Sequence, residues 1–230
     1  METHFLDKRT IAELTARMYL DCGAVRFMTD KPYIFTSGWA SPVYNDSRWL
    51  ISFPDVRAAI MGYMVHAIDR DIGRTNIDAV AGGETAGIAF AAWVADRLHL
   101  PMQYVRKKPK GFGRGAQIEG QLIPGQRVLL VEDLATDGRS KVNFVKAIRD
   151  ADGQCEHCFV IFFYDIYKEG QKILADLGVT LHSLTTWRDL LRVAKTMDKF
   201  EPKMLAEVEK FIDDPAGWSK AHGGVATTAE

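Results

Sequence analysis

Apolar residues in the middle of the chain come in short blocks, and the period between them keeps switching. Ile77 to Ala81 is a continuous apolar run that stops at Gly82-Gly83. The following TAGIAFAAWVADRLHL puts Ile88, Ala91, Ala92, Ala95 and Leu98 at helical spacing. Pro101 to Val105 reads as a second strand, and Val128 to Val131 as a third, apolar enough to be covered on both faces. Val142, Val145 and Ile148 follow on a helix that ends near Gly153. Phe159 to Tyr164 is a further strand. Lys168 to Leu177 predicts a helix stopped by Gly178, and Val179 to Leu184 a last strand. Strands alternating with helices predict an α/β fold with a parallel sheet and helices on both faces. Right-handed crossovers then bring the C-terminal ends of the strands to one edge, where such sheets bind ligands.

The N-terminal part reads differently. Leu6 to Leu20 predicts an amphipathic helix, and Phe27 to Asn45 is aromatic and bears Gly, Ser and Pro, as mixed loop and strand would. Phe53 to Ile68 predicts a helix with Pro54 near its start and Val56, Ile60, Tyr63 and Ala67 along one stripe. We therefore divide the chain into a cap over the sheet edge (1–50), a core (51–214) and a small-residue, polar, flexible tail (215–230).

Composition narrows the partners. The 230 residues are 47% hydrophobic, enough for a real core. Net charge is −1, with 29 basic and 30 acidic side chains, which argues against a nucleic-acid binder. No apolar run approaches the roughly 20 residues of a bilayer span. The polar, acid-bearing METHFLDKRT is no signal peptide, so a cytoplasmic protein is expected. The three cysteines give no disulfide framework. Cys155-Glu156-His157-Cys158 is half a zinc pattern with no second half, and reads as the flank of a strand.

The most informative stretch is RVLLVEDLATDGRSK, Arg127 to Lys141. An apolar strand carries Glu132 and Asp133 to the ligand edge. Successive strand residues face opposite ways, so the two acids diverge unless the chain is already turning. Carboxylates there suit the vicinal hydroxyls of a sugar or a divalent cation. Residues 134–140, Leu134, Ala135, Thr136, Asp137, Gly138, Arg139 and Ser140, form the strand-to-helix turn, whose free N–H groups and helix dipole make a phosphate cradle. Asp137 is expected to point away or to be neutralised by Arg139, with Lys141 as a further local offset. Sugar on the acids and phosphate on the turn describe a 5-phosphoribosyl group. A second stretch, Arg106 to Arg114, holds five basic residues and no acid, broken by Gly111 and Gly113. A mobile basic arm of this kind suits a second anion, such as a pyrophosphate.

VLLVEDLATDGRS resembles the phosphoribosyl-pyrophosphate (PRPP) motif of type I phosphoribosyltransferases. Arg106, Lys107 and Lys110, followed by Gly-rich chain and Ile118-Glu119-Gly120, resemble the mobile loop of the orotate phosphoribosyltransferases. FTSGWASPVYNDSR resembles that family's orotate segment, and GGETAGIAFA its loop after the first sheet strand. The resemblance covers most of residues 30–190. It implies the type I phosphoribosyltransferase fold, a central parallel sheet flanked by helices with a small N-terminal hood. It also implies transfer of ribose 5-phosphate from PRPP to orotate with Mg²⁺ borne by pyrophosphate and ribose oxygens, in a homodimer whose basic loop acts in trans. Lys110, Arg106 and Asp133 would then be catalytic. Arg106, Lys107, Lys110, Glu132, Asp133 and residues 134–140 would bind PRPP, and Thr136, Tyr44 and Arg48 would bind orotate. The chain departs from the family at Thr36, at Thr85-Ala86, at Phe112 (in place of a histidine) and around Asp165-Ile166. Arg48, then Arg26, are the cations available to replace those lost, and Arg114 could stand in for the histidine. A transferase for another base and a non-catalytic PRPP-binding regulator are the competing readings.

Overall fold

The computed structural model describes residues 6–28, 31–111, 117–167 and 169–226. The chain begins with α1 (Lys8–Cys22), capped by the Asp7 side chain at the Thr10 N–H. Four short strands follow: β1 (Val25–Phe27), β2 (Tyr33–Ile34), β3 (Ala40–Ser41) and β4 (Val43–Asn45). They pair as two antiparallel ribbons, β1 with β4 and β2 with β3. A 3₁₀ turn, Ser47–Ser52, leads into α2 (Pro54–Asp71).

The alternating part then runs β5 (Ala79–Gly83), α3 (Ala86–Leu98), β6 (Met102–Val105), β7 (Ile118–Glu119), β8 (Arg127–Ala135), α4 (Arg139–Asp150), β9 (Gln154–Phe163), α5 (Glu169–Ala175) and β10 (Thr180–Thr186). Three helices close the described chain: α6 (Trp187–Ala194), α7 (Pro202–Asp213) and α8 (Pro215–Ala221). Among the described residues the large sheet has the order β10-β9-β8-β5-β6-β7. Its pairs are parallel except β6 with β7, which is antiparallel. Each predicted sheet strand is present, so the α/β, parallel-sheet expectation holds.

The period-2 alternation of β8 explains the two cores. Leu129 and Val131 face the larger one, packed with α1, α2, α3, α6 and α7. Val128 and Leu130 face the smaller one, with Phe144, Val145 and Ile148 of α4 and Leu174 of α5. Cys155 and Cys158 lie buried in this second core, where burial pushes the Cys155 thiol up to about 12 and the Cys158 thiol up as well. Neither is poised as a thiolate at neutral pH.

Two expectations about domain limits need correction. The N-terminal helix was expected in the cap. Its buried residues Ile11, Ala16, Tyr19 and Leu20 instead join the larger core, because the amphipathic stripe packs against β10 and α6. The tail expected from residue 215 is helical over Pro215–Ala221. Trp218 is the reason: it is buried, meets Phe211 edge-on at 5.7 Å, stacks on His222 at 3.7 Å, and donates its indole N–H to Glu207 at 3.0 Å. One aromatic anchor outweighed the Gly/Ala/Thr composition around it.

Trp218→Ala is expected to cost about 3 kcal/mol, the usual range for emptying a buried aromatic site. It should also open the segment beyond Asp214 to limited proteolysis. Urea unfolding and a timed protease digest would check this; an unchanged midpoint and digest pattern would show the anchor to be dispensable.

Candidate active site

β8 was expected to hand its acids to the sheet edge. It runs further, to Ala135, so that Glu132 and Asp133 are still inside the strand. Only 6% and 8% of their surfaces are exposed. They diverge as strand geometry requires. Glu132 turns to the α4 side, where Lys141 reaches it at 3.3 Å with both side chains buried. Its other oxygen, Oε1, makes no hydrogen bond of good geometry and lies over Gly83 and Gly87. A Cβ at either glycine would collide with that oxygen, which explains glycine at both positions. Burial, against the pull of Lys141, raises the Glu132 carboxyl to about 7. Asp133 turns to the opposite face, near Tyr19, Tyr164 and Arg48, and burial raises it too.

The turn after β8 has the shape the sequence suggested. Gly138, at φ +79°, precedes α4, and its carbonyl accepts the Lys141 N–H. Of the two arrangements expected for Asp137, the structure has the pairing with Arg139. Its carboxylate accepts the Arg139 N–H at 3.1 Å and pairs with the Arg139 guanidinium at 3.3 Å. Lys141 was expected to help offset Asp137; it serves Glu132 instead and also donates to the Ser140 hydroxyl at 3.1 Å.

Thr136, Asp137 and Arg139 line a groove of about 1350 Å³. Across it lie Thr36, Ser37 and Trp39 of the turn between β2 and β3, and Tyr44 of β4. Tyr164, Ile166 and Tyr167, after β9, form the side wall. Trp39 meets Tyr167 edge-on at 5.6 Å, and Tyr167 lies nearly parallel to Tyr164. Burial raises both phenols, Tyr167 up to about 12 and Tyr164 as well. The remaining wall comes from Asp213 to Ala216 and from Ala226. The sequence reading singled out Thr136, Tyr44 and the phosphate turn. It passed over Trp39, Tyr164 and Tyr167, although aromatic residues just past a strand's C-terminal end were a usable signal. The C-terminal wall had no signal, because those residues are distant in sequence.

Not all expected residues meet at the groove. Arg48 lies outside its lining, held by Asp46 through two hydrogen bonds of 2.7 and 3.0 Å, and Arg26 sits against the Trp49 ring. The described part of the basic arm follows β6 and is not among the groove's lining residues. Arg106 and Lys110 both point to Glu119, at 3.4 and 3.7 Å. The Lys107 N–H donates to Glu84, and its carbonyl accepts from Asn143. Phe112 and Arg114 lie outside the described residues. Among the described residues no cluster of three or more His, Cys, Asp or Glu is set to hold a metal ion. No helix among them is long and apolar enough to cross a membrane.

Lys141→Met tests the buried pair. A carboxyl whose folded pKa is raised binds a proton that the unfolded chain has already released. The cost of burying it therefore grows as pH rises from its ordinary 4.5 toward about 7. Without the lysine that draws it down, the charged form should be harder still to hold. We expect a loss of about 3 kcal/mol at pH 8 and a smaller one at pH 5.5, read from urea midpoints. Equal losses at both would sink the pairing.

The geometry has counterparts in known proteins. A family profile described as "Phosphoribosyl transferase domain" matches residues 54–180. An orotate phosphoribosyltransferase of Ruegeria sp. (strain TM1040) is 55% identical over 212 residues, 92% of this chain and 94% of that protein. The crystal structure of orotate phosphoribosyltransferase from Aeropyrum pernix superposes with a TM-score of 0.66 at 27% identity, over 79% of this chain and 99% of that one. The Mycobacterium tuberculosis enzyme in complex with PRPP shares the fold, with a TM-score of 0.57 at 23% identity over 80% and 99%. From the profile match and the near full-length likeness, the chain belongs to the phosphoribosyltransferase family and, within it, to the orotate phosphoribosyltransferases.

Proposed function

We propose that the groove carries out transfer of ribose 5-phosphate from PRPP to N1 of orotate, releasing orotidine 5′-monophosphate and pyrophosphate in pyrimidine nucleotide synthesis. The observation that carries this reading is the pairing of two unlike walls. A phosphate turn, residues 136–139, faces aromatic side chains of Trp39, Tyr44 and Tyr167 across one cavity. A sugar phosphate suits the first wall and a flat base the second.

The residue roles follow from where each group lies. Thr136 to Ser140 would hold the 5′-phosphate through main-chain N–H groups and the Thr136 and Ser140 hydroxyls; Leu134 and Ala135, expected in the same turn, lie in β8 paired with Phe162 and Phe163 of β9 and would only support it. Asp133, on the face it shares with Tyr164, would accept the ribose hydroxyls. Glu132 was read as its equal partner, but it is engaged with Lys141 on the opposite face. Its part would be to support the strand end, with a ribose contact only if it leaves that lysine. Thr136 and Tyr44 would approach orotate. Arg48 could do so only by releasing Asp46.

The chemistry needs no covalent intermediate on the protein. N1 of orotate attacks C1 of the ribose as pyrophosphate departs through a cation-like sugar. The groove contributes positioning and charge stabilisation. Mg²⁺ would enter as part of the substrate, on pyrophosphate and ribose oxygens, neutralising the leaving group. Lys110, Arg106 and Lys107 would complete the site from the second subunit of a homodimer. Their displacement from their own chain's groove supports that reading. The family assignment also supports a cytoplasmic location, as do three unpaired cysteines.

The primary test follows orotate absorbance on mixing protein with PRPP. Turnover should require Mg²⁺, and purine bases should not replace orotate. Lys110→Ala should lower kcat by roughly a hundredfold with little change in melting temperature. Mixing Lys110→Ala with Asp133→Asn, each nearly inactive alone, should restore about a quarter of native activity, since half of the dimers would be mixed and each would hold one intact site. No recovery on mixing would argue that the arm acts within its own subunit.

A further inference from the structure

The C-terminal segment does more than end the chain: it is tied to the turn that forms the base side of the groove. That turn, Phe35 to Trp39, is closed by the Phe35 N–H to the Trp39 carbonyl at 2.9 Å and the Gly38 N–H to the Phe35 carbonyl at 2.8 Å. Gly38 adopts φ +84°. Thr36 and Ser37 project from this turn into the groove lining. Three contacts from the C-terminus hold it from outside. The Val225 N–H donates to the Gly38 carbonyl at 3.0 Å. The Val225 side chain covers the open face of Gly38. Ser219, fully buried, accepts the Ala40 N–H at 2.9 Å and donates to the Val225 carbonyl at 2.6 Å.

One hydroxyl therefore joins β3 to the last described residues. The Gly224 N–H bonds back to the Ser219 carbonyl at 2.9 Å, which folds the strap over. A Cβ on Gly224 would run into the Ala40 N and the Ser219 hydroxyl, so the close approach requires glycine. The strap is itself anchored at Trp218, described above. It also reaches the cavity, since Pro215, Ala216 and Ala226 line the same groove. Its acids are spent elsewhere. Asp214 caps α8 at the Gly217 N–H, and Asp213 pairs with Arg188 at 3.1 Å.

We propose that residues 219–225 form a positioning strap for the acceptor side of the site, with Ser219 and Val225 fixing the Thr36-Ser37-Gly38 turn against which the base is bound. The phosphoribosyl side is built from β8 and α4 and makes none of these contacts. The strap should therefore affect the two substrates unequally. This inference rests on the groove being the orotate site, as proposed above.

The experiment measures KM for orotate and for PRPP, with kcat, in three variants. One lacks residues 223–230 but keeps α8 and Trp218. The second, Val225→Pro, removes the N–H donor and the side chain that covers Gly38, at an exposed position. The third is Ser219→Ala. Each should raise KM for orotate by about five- to tenfold, the worth of one or two hydrogen bonds. KM for PRPP should stay within about twofold, because the phosphate turn is untouched. A general loss of structure would not produce that split. Unchanged orotate KM in all three variants, or equal rises for both substrates, would overturn the strap. Should Ser219→Ala fail to fold, Val225→Pro and the truncation still decide the matter. Full-length protein with no turnover of orotate would instead sink the orotate reading itself, which keeps the two failures apart.

Discussion

Lys141 meets Glu132 at 3.3 Å in a place where water hydrates neither. The end of the sheet is arranged around that contact. A carboxylate so deep is tolerable only with a partner, and the partner has to come from the first turn of α4. This fixes α4 against β8, and with it the turn 136–139 that lies between them. It also demands bare backbone on the other side, supplied by Gly83 at the end of β5 and Gly87 in α3. Three elements separated in sequence are thus held in register by one buried acid. Asp133, the next residue, is left on the opposite face as the carboxylate nearer Tyr164 and the groove.

The groove depends on this frame unequally. Its phosphate wall belongs to β8 and α4 and inherits the rigidity of the core. Its aromatic wall is assembled from pieces with little structure of their own, a pair of two-residue strands and the loop after β9. Short ribbons of that kind are marginal alone. They hold their shape because Trp39 and Tyr167 pack together and because chain from the far C-terminus closes over Gly38. The division suits a site that takes a phosphate and a base. The phosphate needs fixed N–H directions, while a planar base needs a surface that can adjust around it.

What was legible in the sequence follows the range of the forces involved. The five parallel strands and their helices could be read because each is set by local periodicity. The phosphate turn could be read because Thr136, Gly138 and Ser140 are adjacent, and the family resemblance rested on the same contiguity. Long-range contacts were not legible. Lys141 was placed with Asp137 by proximity along the chain, whereas the helix carries it to Glu132. Arg48 looked available for an anion, but Asp46, two residues earlier, holds it. The segment 215–226 reads as a loose tail by composition because its order comes from Trp218 and Ser219 meeting partners distant in sequence.

The phosphate turn carries an acid of its own, and its pairing bears on how the turn would meet a phosphate. The Arg139 N–H and guanidinium are satisfied by the Asp137 carboxylate, an oxyanion placed where the turn favours one. That pairing occupies one of the turn's donors. In the proposed reaction the incoming 5′-phosphate competes with that carboxylate for the same groups. A phosphate brings more charge and more acceptor oxygens than a carboxylate, so the exchange favours it. The acid that looked out of place in the motif is thus neutralised by its neighbour Arg139. In the proposed reaction the cations that meet the leaving pyrophosphate would come from elsewhere, from Arg106 and Lys110, which pair with Glu119 in their own chain.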